Sequence, residues 1–495
     1  MSPRRAAAVW RAGPRLVALA ALTGVAYALA TWPVTWAGLA VAGAGLALAV
    51  LVRPVWGLYA LPFLIPFGRL REVSLGPARV GGLEAVLGLV LAAWLARGVA
   101  RRELRLAPPP LLPAWVLWLG AMWVSVLGAL SLGSSLKELV KWGEMAALYL
   151  MAWHELRRRD ILIITLSTVA AGALAALQGI YQAVFQVGPA GFLFPLAGRL
   201  WLRAYGTFMQ PNPYGGYLGL TLPLAYGVLL ALLLSPPGER GSGEGRWALP
   251  ALGTAMAVAA GLMGLALFFT LSRGAWLGAA VALAAVSALL SRRALVASAL
   301  AAAAAALFLA MGGARALPAA FRERLTDFLP YLGMVDVRGV EITERNFAVI
   351  ERLAHWYAAI GMFADRPWLG VGVGNYAAVY PAYKIPPWDD PLGHAHNIFL
   401  NVAAETGLVG LVAYVLFWLA AFRLTWQAVR ATEGVWRGIA VGALGSFVHL
   451  SVHNLVDNLY VAGMYVQVAL LLAFVARLRA PPPWAEEGDP GAGTA

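Results

Sequence analysis

The sequence predicts an all-α polytopic transmembrane helical bundle of about 12–14 spans, with a long extracytoplasmic loop that contains an amphipathic helix. Three observations lead there. The 495 residues are 61% hydrophobic and only 12% charged, with mean hydropathy +0.73, whereas soluble domains carry about 25% charged residues. Apolar runs long enough to cross a bilayer recur along the whole chain. The net charge of +13 is nearly all arginine and sits in short clusters between those runs. That is the pattern of the positive-inside rule, not of a nucleic-acid surface, so no nucleic-acid partner is expected. The chain has no cysteine, which excludes disulfides, thiolate metal sites and a cysteine nucleophile.

A span needs about 20 apolar residues. Fourteen candidates lie near 15–32, 35–52, 54–68, 82–98, 111–131, 138–155, 161–184, 213–234, 248–269, 274–290, 294–312, 399–426, 438–453 and 459–478. The third is short, and the sixth carries Glu138, Lys141 and Glu144. The start, with Arg4, Arg5, Arg11 and Arg15, resembles a signal peptide but lacks a cleavage site, so it reads as a retained first span. With that end inside, the basic clusters at Arg53, 100–106, 154–160, 236–246, 291–293, 430–437 and after 476 all fall on the inner side. The expected organisation is N-terminal spans over 1–184 and central spans with arginine-bearing outer loops over 185–312. The long loop follows over 313–398, then C-terminal spans over 399–478 and a disordered tail over 479–495.

A loop of that length is expected to be a functional element or a small folded unit. Within it, 346–364 has Phe347, Ile350, Leu353, Ala354, Tyr357 and Ile360 at helical spacing, stopped by Asp365-Arg366-Pro367. This amphipathic helix is expected on the membrane surface or folded over the bundle. The stretch Gly370–Gly410 is polar and aromatic in a chain that is otherwise mostly hydrocarbon. Its GVGVGNY reads as a tight turn, since no strand–helix unit surrounds it for a dinucleotide fingerprint.

Three outward-facing helix starts stand out. Asn212 before Pro213, Ser272 before Arg273, and Asn397 after His396 each read as an N-cap. Each helix would present free N–H groups and the positive dipole end at the outer face, with Arg203 and Arg273 beside two of them. Converging ends would make an anion site suited to phosphate. The same dipole disfavours imidazolium at His396, so a neutral imidazole able to act as general base is expected there. Blander readings stand beside these. Arg273 could snorkel to headgroups. Arg203, between Trp201 and Tyr205, could be a belt residue. Arg352 could be a solvated charge on the amphipathic helix. Asp389 and Asp390 could simply form a turn. His394 and His396 could be surface histidines, and no acidic or cysteine ligand accompanies them at zinc-site spacing, so no metal is expected.

These residues resemble the O-antigen ligase and O-antigen polymerase superfamily of bacterial membrane glycosyltransferases. The ligase pattern of His-Asn, nine residues and Gly-x-x-Gly fits His396-Asn397, Ile398 to Thr406, and Gly407 to Gly410. The Arg-x-x-x-Leu pattern fits Arg273 and Leu277, and GTFMQPNPYGGYL, PWLGVGVGNY and HNLVDN at 453–458 are also similar to family segments. The resemblance runs from Arg203 to Asn458. It implies a metal-independent, cofactor-free glycosyltransferase in the bacterial cytoplasmic (inner) membrane, with its active site on the extracytoplasmic side. The donor would be an undecaprenyl-diphosphate-linked glycan, and the acceptor a hydroxyl on lipid A-core, another glycan or a protein. His396 would be the general base, with Arg203, Arg273 and Arg352 on the diphosphate. His394, Tyr376, Lys384 and Asn397 would be candidates for sugar or acceptor contact.

Ligase, polymerase and protein O-glycosylation enzyme remain alternatives within the resemblance. A secondary transporter is the alternative from another class. It would place ionisable groups near the membrane midplane, for which only Lys141 and Glu144 offer themselves, and those could pair within one helix.

Overall fold

A computed structural model of the chain describes residues 23–24, 26–27, 30–68, 73–75, 78–102, 107–196, 199–234, 248–311, 329–331, 335–343 and 346–480. The expected first span, the basic loop at 236–246, much of the long loop before 346 and the tail beyond 480 lie largely outside the described residues. The protein is all-α. Among the described residues, strand is confined to two short antiparallel hairpins. They are β1 (Val73–Leu75) with β2 (Ala78–Val80), and β3 (Leu193–Leu196) with β4 (Arg199–Leu202).

Each expected span after the first has a helix. In order these are α1 (Val34–Val52), α2 (Pro54–Phe67), α3 (Gly82–Arg101), α4 (Leu112–Ser125), α5 (Leu132–Glu155), α6 (Arg158–Phe185) and α7 (Pro211–Leu234). Then come α8 (Ala248–Phe269), α9 (Arg273–Leu290), α10 (Arg292–Ala310), the loop helix α11 (Phe347–Asp365), α12 (Ile398–Ala431), α13 (Gly434–His453) and α14 (Met464–Arg479). Eight helices among the described residues are long and apolar enough to cross a membrane, so this is a multi-pass membrane protein. The other expected spans are shorter or more polar. Helix α2 has 14 residues and two internal prolines, Pro62 and Pro66, about 21 Å of helix against a hydrocarbon core of about 30 Å.

The chain forms two compact units, residues 1–58 with 84–104, and residues 59–83 with 105–495. In the first, Gly57 is the point where helices close in: a Cβ there would lie 2.9 Å from a Val50 methyl and collide with Val90.

The second unit holds everything polar that matters below. At its centre, α14 is buried on almost every face from Met464 to Ala476, as expected of a helix that is apolar all round. Helix α13 packs on α7 through small residues. A Cβ on Gly442 would lie 2.8 Å from the Leu224 Cα and 2.9 Å from the Pro223 carbonyl oxygen, so the two backbones touch, as at small-residue interfaces in membranes. Lys141 and Glu144 do not pair with each other. Lys141 pairs with Glu138 at 2.6 Å, and Glu144 accepts the Tyr465 hydroxyl at 2.9 Å.

The loop helix forms where expected and folds over the helices, packed against α12. Its buried stripe is rotated from the expected one. Ile350, Leu353, Ala354, His355, Ala358, Ala359 and Met362 face inward, while Phe347 and Ile360 are 46% and 37% exposed. Small residues face inward because the helix is received by a protein surface, not by lipid.

Candidate active site

The polar chemistry collects around the turn between α13 and α14, HNLVDNLY at 453–460. The three helix starts singled out in the sequence all reach it or its neighbours. At α12, the Ile398 amide donates to the Asn454 carbonyl at 2.9 Å. At α9, a Cβ on Gly274 would lie 2.7 Å from Val456 and 2.8 Å from the His453 ring. At α7, Gly216 faces the Leu459 side chain, and Gly215 faces Ala275 and Thr270 of the α9 start. Three helix N-termini, each a positive dipole end, therefore meet at one end of the second unit.

His396 sits one residue before the α12 N-cap. Asn397 caps that helix as expected, its Oδ1 accepting the Phe399 and Leu400 amides at 3.0 and 3.1 Å. His396 itself has φ +51, a left-handed backbone that a non-glycine residue adopts only where surroundings hold it. The His396 amide donates to His394 Nδ1 at 3.1 Å, and the Trp356 indole reaches the His396 carbonyl at 3.4 Å.

The helix end is not the only electrostatic partner of this imidazole. The buried Asp457 carboxylate lies beside it, Oδ1 3.4 Å from His396 Nδ1, at a turn 61 residues downstream. Burial pushes the Asp457 carboxyl up, but contact with His396 and the charges of His396, His453 and His394 outweigh it and hold it below the usual carboxylate range. Neither ring nitrogen of His396 makes a hydrogen bond among the described residues; Nδ1 stands 3.4 Å from the carboxylate and Nε2 faces no polar partner. An imidazole with one nitrogen against a carboxylate and the other unclaimed has the layout of a general base with its orienting acid. Donor atoms of His394, His396 and Asp457 also lie within 4.8 Å of one another, a spacing that could hold a metal ion. The acidic ligand that sequence spacing lacks is thus supplied by the fold, from the other side of α12 and α13.

The glycine-rich loop and the Gly-x-x-Gly part of the motif are two halves of one seam. Helix α12 is broken at Gly407, with φ +63 and ψ −164. The loop repairs the break: Leu408 N donates to the Pro367 carbonyl at 2.7 Å, Val371 N to Ala404 at 2.9 Å, and Gly372 N to Glu405 at 2.9 Å. Only glycine fits at Gly407, because a Cβ would strike the Trp368 carbonyl and the backbone is left-handed.

The remaining candidates fall into place as follows. Arg203 lies between two helix starts, Nε donating to the Thr270 carbonyl at 2.9 Å and Nη2 to Asn212 Oδ1 at 3.1 Å. Asn212 is therefore not a cap: α7 begins at Pro211 and the Asn212 side chain turns to Arg203. Ser272 makes no side-chain cap; its amide donates to Thr270 Oγ1 at 3.2 Å. Arg273 opens α9 next to Gly274, while Leu277 is 58% exposed, facing away from the site. Arg352 is committed to backbone, Nε to Val456 at 2.9 Å and Nη1 to Ala348 at 2.6 Å. It clamps α11 to the turn that carries Asp457.

Tyr376 is fully buried, with its hydroxyl on His355 (Nδ1 2.9 Å, carbonyl 3.2 Å); it belongs to the loop's core and has no surface for a sugar. Lys384 forms an exposed pair with Asp389 at 2.6 Å. His394, its ring 4.5 Å from that of His396, is pushed down to about 3, first by burial and then by His396. Sequence reasoning missed Asp457 and His355. For Asp457 the available signal was HNLVDN, a polar turn between two apolar runs.

Residues 258–415 match the family model described as O-antigen ligase. The match runs from within α8, through the long loop and His396, into α12; Arg203 and Asp457 lie outside it. No curated protein matches the chain.

Proposed function

We propose, on the membership of the O-antigen ligase superfamily that the match across residues 258–415 supports, that this protein transfers a glycan from undecaprenyl diphosphate to an acceptor hydroxyl. The reaction would take place at the outer face of the cytoplasmic membrane. The single observation that carries the reading is the His396–Asp457 pair at the meeting point of three helix N-termini.

His396 Nε2 takes the proton of the acceptor hydroxyl. The oxygen then bonds to the anomeric carbon of the donor sugar as the bond from that carbon to the diphosphate oxygen breaks. The electron pair leaves with the diphosphate. Asp457 orients the imidazole and stabilises the imidazolium that forms. The leaving group gains negative charge in the transition state, where the helix ends, Arg273 and Arg203 lower its energy. Arg352 acts one step back, by fixing the Asp457 turn. An apolar groove between α6 and α8, lined by Leu166, Val169, Ala170, Met256, Ala259 and Leu262, suits an isoprenoid tail. The pairing of Lys141 with Glu138, and of Glu144 with Tyr465, weakens the transporter reading, since neither group is left for a cargo ion.

Lipid A-core is the acceptor of this reading; a lipid-linked repeat or a protein hydroxyl would use the same base. The test is transfer from an undecaprenyl-diphosphate-linked glycan to each acceptor by the purified protein. Arg273→Ala is expected to lower turnover by a factor on the order of 10² to 10³. EDTA is expected to leave it unchanged; loss of activity with EDTA would make His394, His396 and Asp457 metal ligands and remove the general-base role.

A further inference from the structure

Asp457 has two carboxylate oxygens, and the proposed reaction accounts for one. Oδ1 faces His396 and accepts the Asn458 amide at 2.9 Å. Oδ2 faces the Nε2 of His453 at 3.9 Å. His453 is the last residue of α13 and is 1% exposed. Its other ring nitrogen, Nδ1, has no hydrogen-bond partner among the described residues. The ring is held by shape instead. A Cβ on Gly274 of α9 would lie 2.8 Å from its Cδ2 and 3.1 Å from its Nε2. One turn further along α9, Gly278 does the same for His449, where a Cβ would lie 2.8 Å from Nδ1. The two rings are 5.4 Å apart and nearly perpendicular.

Two glycines four residues apart on α9 thus receive two histidines four residues apart on α13. This is an expensive way to fill a helix interface. Imidazole nitrogens buried without partners cost free energy that an aliphatic side chain would not. Packing alone gives no reason for a histidine there; the Asp457 oxygen in front of Nε2 does. Gly274 directly follows Arg273, so the cradle that seats His453 also sets the His–Asp pair in register with the proposed phosphate-binding arginine.

We infer that His453 is a positioning residue for the proposed transfer. From the far side of Asp457 its Nε2 stands 3.9 Å from Oδ2, longer than a hydrogen bond, and closes on it to keep Oδ1 aimed at His396 while the base takes its proton. The inference rests on the reading of His396 as base.

The test uses the full-length protein in lipid nanodiscs, with an undecaprenyl-diphosphate-linked glycan as donor and lipid A-core as acceptor. His453→Leu is expected to lower kcat on the order of 30-fold with the donor KM unchanged. His453→Gln, which keeps a donor near the Nε2 position, is expected to restore kcat to within about threefold of the parent. His453→Leu combined with Asp457→Asn is expected to be no slower than Asp457→Asn alone, because both act through one carboxylate. If the leucine variant does not fold, His453→Asn, polar but too short to reach Oδ2, is expected to show the same kcat loss. The inference is overturned if His453→Leu turns over like the parent, if glutamine rescues no better than leucine, or if the two losses multiply. Full activity of His396→Ala in the same assay overturns the base reading, and this inference with it.

Discussion

Two regions of one stretch, residues 367–410, are built on opposite principles. At the Gly407 seam nearly every exposed backbone group finds a partner, and the loop carbonyls stand in for a broken turn of α12. Around His396, some ten residues earlier, buried side-chain nitrogens stay unpartnered and the backbone is strained. The first region spends its hydrogen bonds on rigidity. The second leaves them open beside a carboxylate, where the proposed function has a substrate proton taken up. The difference bears on the His-Asn and Gly-x-x-Gly pattern: its glycines hold the frame, and under the proposed function its histidine does the chemistry. Substitutions in the two regions should therefore fail differently.

The largest expected effect that separates them is on turnover. Asp457→Asn keeps the shape of the turn but removes the charge that faces His396. It is expected to lower kcat on the order of 10²- to 10⁴-fold with thermal unfolding shifted little, as measured by donor consumption and a melt on the same preparation. Gly407→Ala should do the reverse. A side chain forced into a left-handed backbone and against Trp368 is expected to destabilise by about 2 kcal/mol or more. This would be read as a lowered melting temperature, while the fraction that folds keeps its kcat. A Gly407→Ala protein with parental stability would show that the seam is not what fixes the kink.

A smaller effect joins the two regions. His355 is buried beneath the loop and pushed down to about 4, first by burial and then by the charge of His396, with Asp390 opposing. Its unfolded value is about 6.5. The unfolded chain therefore binds the extra proton first as pH falls. Stability from the neutral imidazole is full above about 6.5 and is lost as pH drops toward 4, at roughly 1 kcal/mol per pH unit. Melts of parent and His355→Gln protein between pH 7.5 and 4.5 check this; equal slopes would remove His355 as the source.

Much of the frame was legible in the sequence, because membrane spans are written in long hydropathy runs that tertiary contacts cannot disguise. The Asn397 cap was legible for a related reason: a helix start is a local signal. What failed were local readings that a distant partner overrode. Asn212 looked like a cap until Arg203, nine residues away, took its side-chain oxygen. The resemblance made Tyr376 a candidate sugar or acceptor contact, but His355 and Glu405 draw it into the core. Arg352 looked like a phosphate ligand because only its charge is visible in sequence, not the two carbonyls that occupy it. Asp457 could not be paired with His396 from spacing, since 61 residues and two membrane helices separate them.

The most direct measurement is single-turnover glycan transfer by parent and His396→Ala protein, each reconstituted with an undecaprenyl-diphosphate-linked glycan and shown to melt at the same temperature. The account predicts that His396→Ala loses at least about 10³-fold in rate while still binding the donor. Transfer by His396→Ala at the parental rate would contradict it.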